Sequence, residues 1–419
     1  MRKLLLDQGH GSEVSVLERP LSPEGLQSAY PTLRVSELLG LERPETPASS
    51  EACYANTRMS AERTTTAASV SDVAKRAGVS KMTVSRVING GNGVKPETRR
   101  RVERAVAELD FVPNGVARGL MTSQTKTLGL IVPDIVNPFF SMVVHGAETV
   151  ARKAGYHLLL CNSEGDLGQE RQYVEHMISH RVDGILIAPT GDRSKQNLSL
   201  LARRKVPFVL IDRSVSGMKC DLVQSDGVEG ARKLVSHLIS LGHKRIAVII
   251  EQDDVSTARE RMSGYRDALS AAKLKMAPEL VVRTTADRVG GYGAMQQILA
   301  LRPPPTAVFA VNNMTALGAM QALRERGLAV PKDLALVCFD DVEHLAVLSP
   351  FMTVVNQPTE MFGALSAQLL LERLASQDAG PRRRIVLPSD LIVRESCGAK
   401  AGWPVTPAGR KQNQTPGTQ

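Results

Sequence analysis

The chain lacks the marks of a disulfide-stapled, zinc-binding or membrane-spanning protein. Its 419 residues include five cysteines, Cys53, Cys161, Cys220, Cys338 and Cys397. They are scattered, odd in number and form no C-x-x-C pair. A disulfide framework or a zinc site is therefore not expected, and a reducing cytoplasm fits. No run of about eighteen apolar residues occurs, the length a membrane helix needs. The leading Met1-Arg2-Lys3-Leu4-Leu5-Leu6 turns polar at Asp7, too soon for the apolar core of a signal peptide. Catalytic signatures are missing too. There is no G-x-S-x-G elbow and no G-x-x-x-x-G-K-[ST] phosphate loop. His237 and His243 flank Leu241-Gly242 with no nucleophile evident. Neither an enzyme nor a bound cofactor is expected.

What is present is ordinary globular composition, 42% hydrophobic and 23% charged, in a chain long enough for two or three domains. The net charge is +9, from 52 Lys and Arg against 43 Asp and Glu. Over half of that excess falls between Ala67 and Ser123, where ten basic residues meet five acids. A concentrated surplus suits an anionic partner, although a solvated basic face has the same charge.

Residues 1 to about 66 carry no sustained period. Pro20, Pro23, Pro31, Pro44 and Pro47 interrupt each candidate helix, so disorder or weak structure is expected. Met59 opens a polar lead-in and is a candidate start of the native protein. Three short helices follow in 67–113. Ser71 is the expected cap of the first, with Val73, Ala74 and Ala77 on one side, and Gly78 ends it. Ser80 caps the second, which runs to about Asn89, where Gly90-Gly91-Asn92-Gly93 stops it. Pro96 opens the third, which ends near Leu109 and buries Val102, Ala105, Val106 and Leu109.

From Leu128 short apolar runs alternate with amphipathic stretches. The strand candidates are Leu128–Val132, His157–Cys161, Gly184–Ala188, Phe208–Ile211, Ile246–Ile250, Ala307–Val311 and Leu334–Phe339. Continuous apolar runs suit parallel strands covered on both faces. The pattern is βαβ alternation in two similar halves, breaking near Val223–Asp226. After Gly398 the tail turns polar and is expected to be disordered.

Two short helices joined through Gly78-Val79 have the helix-turn-helix layout. The second presents Lys81, Met82 and Arg86 at its N-terminal end and one turn on, the end that faces base edges in a major groove. Arg86 can bond guanine bidentately, and Lys81 can donate to guanine or phosphate. Met82 offers only apolar contact, for instance to a thymine methyl. Thr83, Ser85 and Asn89 are short hydrogen-bonding groups suited to phosphates. A generic three-helix bundle would share the spacing.

The string Val73-Ala74-Lys75-Arg76-Ala77-Gly78-Val79-Ser80-Lys81-Met82-Thr83-Val84-Ser85-Arg86-Val87-Ile88-Asn89 resembles the headpiece of the lac-repressor (LacI/GalR) family. Val94, Pro96-Glu97-Thr98-Arg99, Phe111-Val112-Pro113-Asn114 and Ala117-Arg118-Gly119-Leu120 extend the match, which spans Val70 to Cys397. The resemblance implies base reading by Lys81, Met82 and Arg86. It implies a hinge helix over Asn114–Met121 that orders on DNA, with Asn114 as its cap. Leu120 would then wedge into the minor groove, and the small Ala117 would let two hinge helices pack. A dimer on a pseudo-palindromic operator follows. The implied fold is α/β: a three-helix headpiece and hinge (114–125), then a two-subdomain periplasmic-binding-protein-like core over 126–398. Its subdomains would be 126–223 with 357–387, and 224–356 with 388–398.

Ligands of open α/β sheets bind beyond the C-terminal strand ends. Phe139, Phe140, Asp212, Arg213, Asn312, Asp340 and Gln357 stand at such ends, and Arg259 opens a helix nearby. Fork-shaped Arg donors beside Asp and Asn acceptors grip vicinal hydroxyls or a carboxylate. Together they resemble the pocket of sugar-responsive members, which implies a sugar or sugar-acid effector. Asn312-Asn313 departs from the family's usual Asn-Asp. An Asn still caps the next helix, but a negative charge is lost near the pocket. An exported sugar receptor would share such a cleft, but it needs a signal peptide and no headpiece. A homodimeric, ligand-controlled repressor is the expectation, with an activator as the alternative.

Overall fold

The structure is a computed structural model that describes residues 68–88, 90–112, 124–341, 351–376 and 380–399. The predicted extension before residue 67, the hinge helix and the tail beyond 399 lie outside the described residues, as do Asn89, Asn114, Ala117 and Leu120.

Three helices form the N-terminal bundle: α1 (Val70–Ala77), α2 (Lys81–Ile88) and α3 (Pro96–Glu108). Ser69, not Ser71, caps α1. The Ser69 amide donates to the Asp72 carboxylate (2.9 Å), and the Asp72 amide donates back to Ser69 Oγ (3.4 Å). The acid at the third helical position closes a reciprocal box that Ser71, one residue inside the helix, cannot make. Gly78 ends α1 at φ +63°, a left-handed turn that glycine adopts without strain. Val73, Val84, Val87, Val102, Ala105 and Phe111 fill the core between the helices.

The remainder is built on two sheets. The first contains β1 (Thr127–Val132), β2 (His157–Asn162), β3 (Gly184–Ile187), β4 (Phe208–Ile211), β5 (Asp221–Ser225) and, much later, β11 (Arg384–Leu387). Its order is β11-β5-β4-β3-β1-β2, parallel throughout. The second contains β6 (Ile246–Ile250), β7 (Val281–Arg283), β8 (Ala307–Ala310), β9 (Ala335–Phe339), β10 (Thr353–Asn356) and β12 (Asp390–Ile392). Its order is β12-β10-β9-β8-β6-β7, with β12 alone antiparallel.

Helices cover both faces of each sheet. On the first, α4 (Pro138–Lys153) and α11 (Thr359–Ala375) pack one face through Val143, Ala147, Phe362 and Leu370. The other face takes α5 (Leu167–Ser179) and α6 (Lys195–Arg203) through Val174, Met177, Leu198 and Leu201. On the second, α7 (Gly227–Ser240) and α8 (Ser256–Ala271) oppose α9 (Arg288–Ala300) and α10 (Asn313–Glu325). α4 and α11 meet so closely that a Cβ on Gly363 would strike the backbone carbonyl of Val143.

The chain passes from the first sheet to the second after Ser225, returns after Asn356 and leaves again between Leu387 and Asp390. Strands β5, β7, β10, β11 and β12 were not among the apolar candidate runs. Each is short and carries polar or charged residues, such as Asp221 and Gln224 in β5 or Arg283 in β7, so none reads as a continuous apolar run.

The two halves end corresponding strands alike. Asp212 follows β4 and Asp340 follows β9, both at positive φ, +62° and +71°. The Asp212 amide donates to Val223 O and the Asp340 amide to Val355 O, 2.8 and 2.9 Å. Asp tolerates this conformation better than most residues, and backbone held there concentrates at functional sites.

Candidate functional site

Helix α2 divides by face. Val84 and Val87 are buried, whereas Lys81, Met82 and Arg86 are exposed and Thr83 and Ser85 half-buried. Met82, 65% exposed, is an uncovered large apolar side chain at the start of a helix. The Thr83 amide donates to Ser80 Oγ at 3.2 Å, and the two hydroxyls lie 2.9 Å apart. Ser80 therefore supplies the cap expected of it. Arg99, on α3, donates to Gly91 O (3.0 Å) and Val87 O (3.5 Å). It ties the end of α2 and the glycine loop to α3, a role that sequence pattern did not signal. Arg100, Arg101 and Arg104 remain exposed.

At the C-terminal strand ends a cavity of about 550 Å³ lies between the two sheets. The first subdomain lines it with Asn137, Phe140, Thr190 and Arg213, and the second with Glu251, Asp287 and Asn312. Arg213 spans the gap. It donates to Pro189 O and Thr190 O on its own side and to Glu251 Oε1 on the other, each at 3.4 Å. Asn313, first residue of α10, donates from Nδ2 to Asn137 Oδ1 at 3.0 Å across the same gap. Asn137 Oδ1 also caps α4 by accepting from the Phe139 amide (3.0 Å). Asn312 caps α10 by accepting from the Thr315 amide (2.8 Å). The Asn-Asn pair thus keeps a helix cap and adds an amide bridge between subdomains.

Asp212, Asp340 and Gln357 are buried and not among the lining residues. Gln357 Nε2 donates to Asp340 Oδ1. Arg261 lies 3.8 Å from Asp340 Oδ2, donates to Val311 O at 2.5 Å and stacks over the Phe339 ring, 4.0 Å from its centroid. Burial pushes the Asp340 carboxyl up to about 6; Arg261 opposes the rise, and Asp212 and Glu251 add to it. Burial raises Asp212 as well, against Arg261 and Arg213. Asp341 turns away from Asp340 and pairs with Arg394, at 2.6 and 2.9 Å.

Two predicted residues stand elsewhere. Phe139 packs edge-on against Phe140 (4.9 Å) and Phe362 (5.6 Å) within the core. Arg259 is half-exposed, reaching Asp192 at 3.0 Å and Asp253 O at 2.6 Å. Glu251 and Arg261 were overlooked. Glu251 directly follows β6, so the strand-end rule applied to it. Arg261 shares the buried stripe of Ala258, Met262 and Tyr265 on α8, where an arginine is conspicuous.

Residues 69–114 match the family described as bacterial regulatory proteins, lacI family, and residues 235–397 match a periplasmic binding protein-like domain. The HTH-type transcriptional repressor PurR of Aliivibrio fischeri (strain MJ11) is 36% identical over 332 residues, 78% of this chain and 98% of that protein.

This chain belongs to the lacI family of bacterial regulators.

Solved structures agree with that membership. The lac repressor dimer bound to operator and the anti-inducer ONPF is similar at a TM-score of 0.69 and 28% identity, covering 79% of this chain and 99% of that one. The transcriptional regulator CelR in complex with cellobiose is similar at 0.60 and 34%, covering 78% and 99%. This lacI-family chain is therefore a DNA-binding transcriptional repressor with a helix-turn-helix headpiece and a periplasmic-binding-protein-like core, and not an enzyme. Among the described residues, no helix is long and apolar enough to cross a membrane.

Proposed function

We propose that the repressor binds a pseudo-palindromic operator as a homodimer and that a small sugar-like or sugar-acid effector in the cleft sets its operator affinity. Lys81, Met82 and Arg86 read bases. Thr83, Ser85 and Asn89 hold phosphates, Ser80 caps the helix at the DNA, and Asn114, Ala117 and Leu120 form the hinge contact. The DNA-binding domain spans 67–113, the hinge 114–125 and the effector and dimerisation domain 126–398. The protein works in the cytoplasm, on the nucleoid.

One observation carries the effector reading. Thr190 Oγ1, Asp212 Oδ1, Arg213 Nε, Arg261 Nε, Asn313 Oδ1 and Gln357 Oε1 are buried at or beside the cleft without hydrogen-bond partners. Each such group costs about 1–3 kcal/mol when unsatisfied, and native proteins leave few. Thr190 and Arg213 line the cavity itself, and a polar small molecule between the subdomains supplies their partners. Binding that prefers one inter-subdomain angle shifts the headpieces by the difference in affinity between the two states.

Two measurements test the proposal. Arg86→Ala should weaken specific operator binding by about 1–3 kcal/mol in a mobility-shift titration; unchanged binding refutes the base-reading role. A thermal-shift screen of sugars and sugar acids should stabilise the core, and no response from a folded protein refutes the effector class.

A further inference from the structure

The charges around the cleft are lopsided. Five carboxylates line it, on Asp134, Glu164, Glu251, Asp254 and Asp287, and Arg213 is the one cation among the described lining residues. The Arg213 guanidinium is already engaged by Glu251 and by the carbonyls of Pro189 and Thr190. A carboxylate or phosphate entering this space meets five side chains of like charge and a single cation among the described lining residues.

Hydrogen-bonding capacity at the cavity wall is unfilled as well, because Thr190 Oγ1 and Arg213 Nε line it without a hydrogen-bond partner.

Resting on the reading of the cleft as a sugar-type pocket, we infer that the effector is a sugar-like molecule carrying a protonated amine, and not a sugar acid. Its ammonium sits among the carboxylates of Glu251 and Asp287. Arg213 Nε, without a hydrogen-bond partner at the cavity wall, donates to a ring or hydroxyl oxygen.

Matched sugars test this on the full-length protein near pH 6.5. Glucosamine, glucose and glucuronate form one set, and the galacto and manno triplets form two more; binding is followed by thermal shift and calorimetry. In at least one set the amino sugar should bind about tenfold or more tighter than its neutral parent, and the uronate weakest of the three. Asp287→Asn removes one charge while keeping the α9 cap, in which Asp287 Oδ1 accepts from the Gly290 amide at 2.6 Å, because Asn caps as well as Asp. It and Glu251→Gln should each lower the preference for the amine severalfold while changing affinity for the neutral sugar much less. A uronate that binds as tightly as the neutral sugar, or an amine preference absent in all sets or unmoved by both variants, overturns the inference and leaves the sugar pocket standing. No binding by any of the nine to folded protein overturns the sugar pocket, and the inference falls with it.

Discussion

Replacing Asp340 with Asn removes a charge that the fold holds at a cost. The side chain is buried, its carboxyl is pushed from an ordinary 3.8 up to about 6, and the first cause is burial. A carboxyl with a raised folded-state value binds its proton more tightly in the native state than in the unfolded one. Stability therefore falls as pH rises from about 3.8 to about 6, and above that window the full cost is present. A gap of about two units corresponds to roughly 3 kcal/mol. Asn mimics the protonated form and still accepts from Gln357. The difference in unfolding free energy, Asp340→Asn minus wild type, should thus be near zero around pH 4. It should grow to about 3 kcal/mol in favour of the variant by pH 7.5. Urea unfolding of both proteins at several pH values measures it, and comparing differences cancels the carboxylates that do not face Asp340, leaving Asp212 and Glu251 as its coupled neighbours. A difference that stays flat across the window, or grows toward low pH, refutes the claim that Asp340 is held charged at a cost.

Other expectations are as direct. Asp221, fully buried in β5, receives Arg373 at 2.6 and 2.9 Å and the Arg383 amide at 2.7 Å. Arg373→Met leaves that carboxylate without its buried partner and should destabilise the core by about 3–5 kcal/mol, read as a lower urea midpoint; a loss below about 1 kcal/mol would contradict the pairing. Arg99→Ala frees the carbonyls of Val87 and Gly91 and should cost about 1–2 kcal/mol of headpiece stability. Amide exchange at α2 should quicken while the sheets stay protected. Unchanged exchange there would deny Arg99 its positioning role.

Local pattern carried the fold class. Period-3.6 apolar spacing, a left-handed glycine and a Pro-opened helix marked the headpiece, and continuous apolar runs marked strands covered on both sides. These are properties of a few neighbouring residues, so a linear reading reaches them. It went astray where a neighbour's side chain settled the matter, as when Asp72 closed the box on Ser69 and displaced Ser71 as the cap. It also passed over strands such as β5, whose Asp221 and Gln224 are buried because distant residues surround them.

The cleft shows the same division. The rule that ligands gather at strand ends brought Arg213, Asn312 and Phe140 into view, and all three line the cavity. That rule sees one subdomain at a time. Folding brought Glu251 to Arg213, Asn313 to Asn137 and Arg261 to Asp340. It also sent Phe139 into the core against Phe362 and Arg259 outward to Asp192. Those outcomes turn on contacts between residues up to 176 positions apart. Burial, charge balance and unfilled hydrogen bonds are properties of such meetings and of no single stretch of chain. The amino acids thus announced a regulator and pointed to the strand ends, and the packing of two subdomains set the charge of the cavity that lies there.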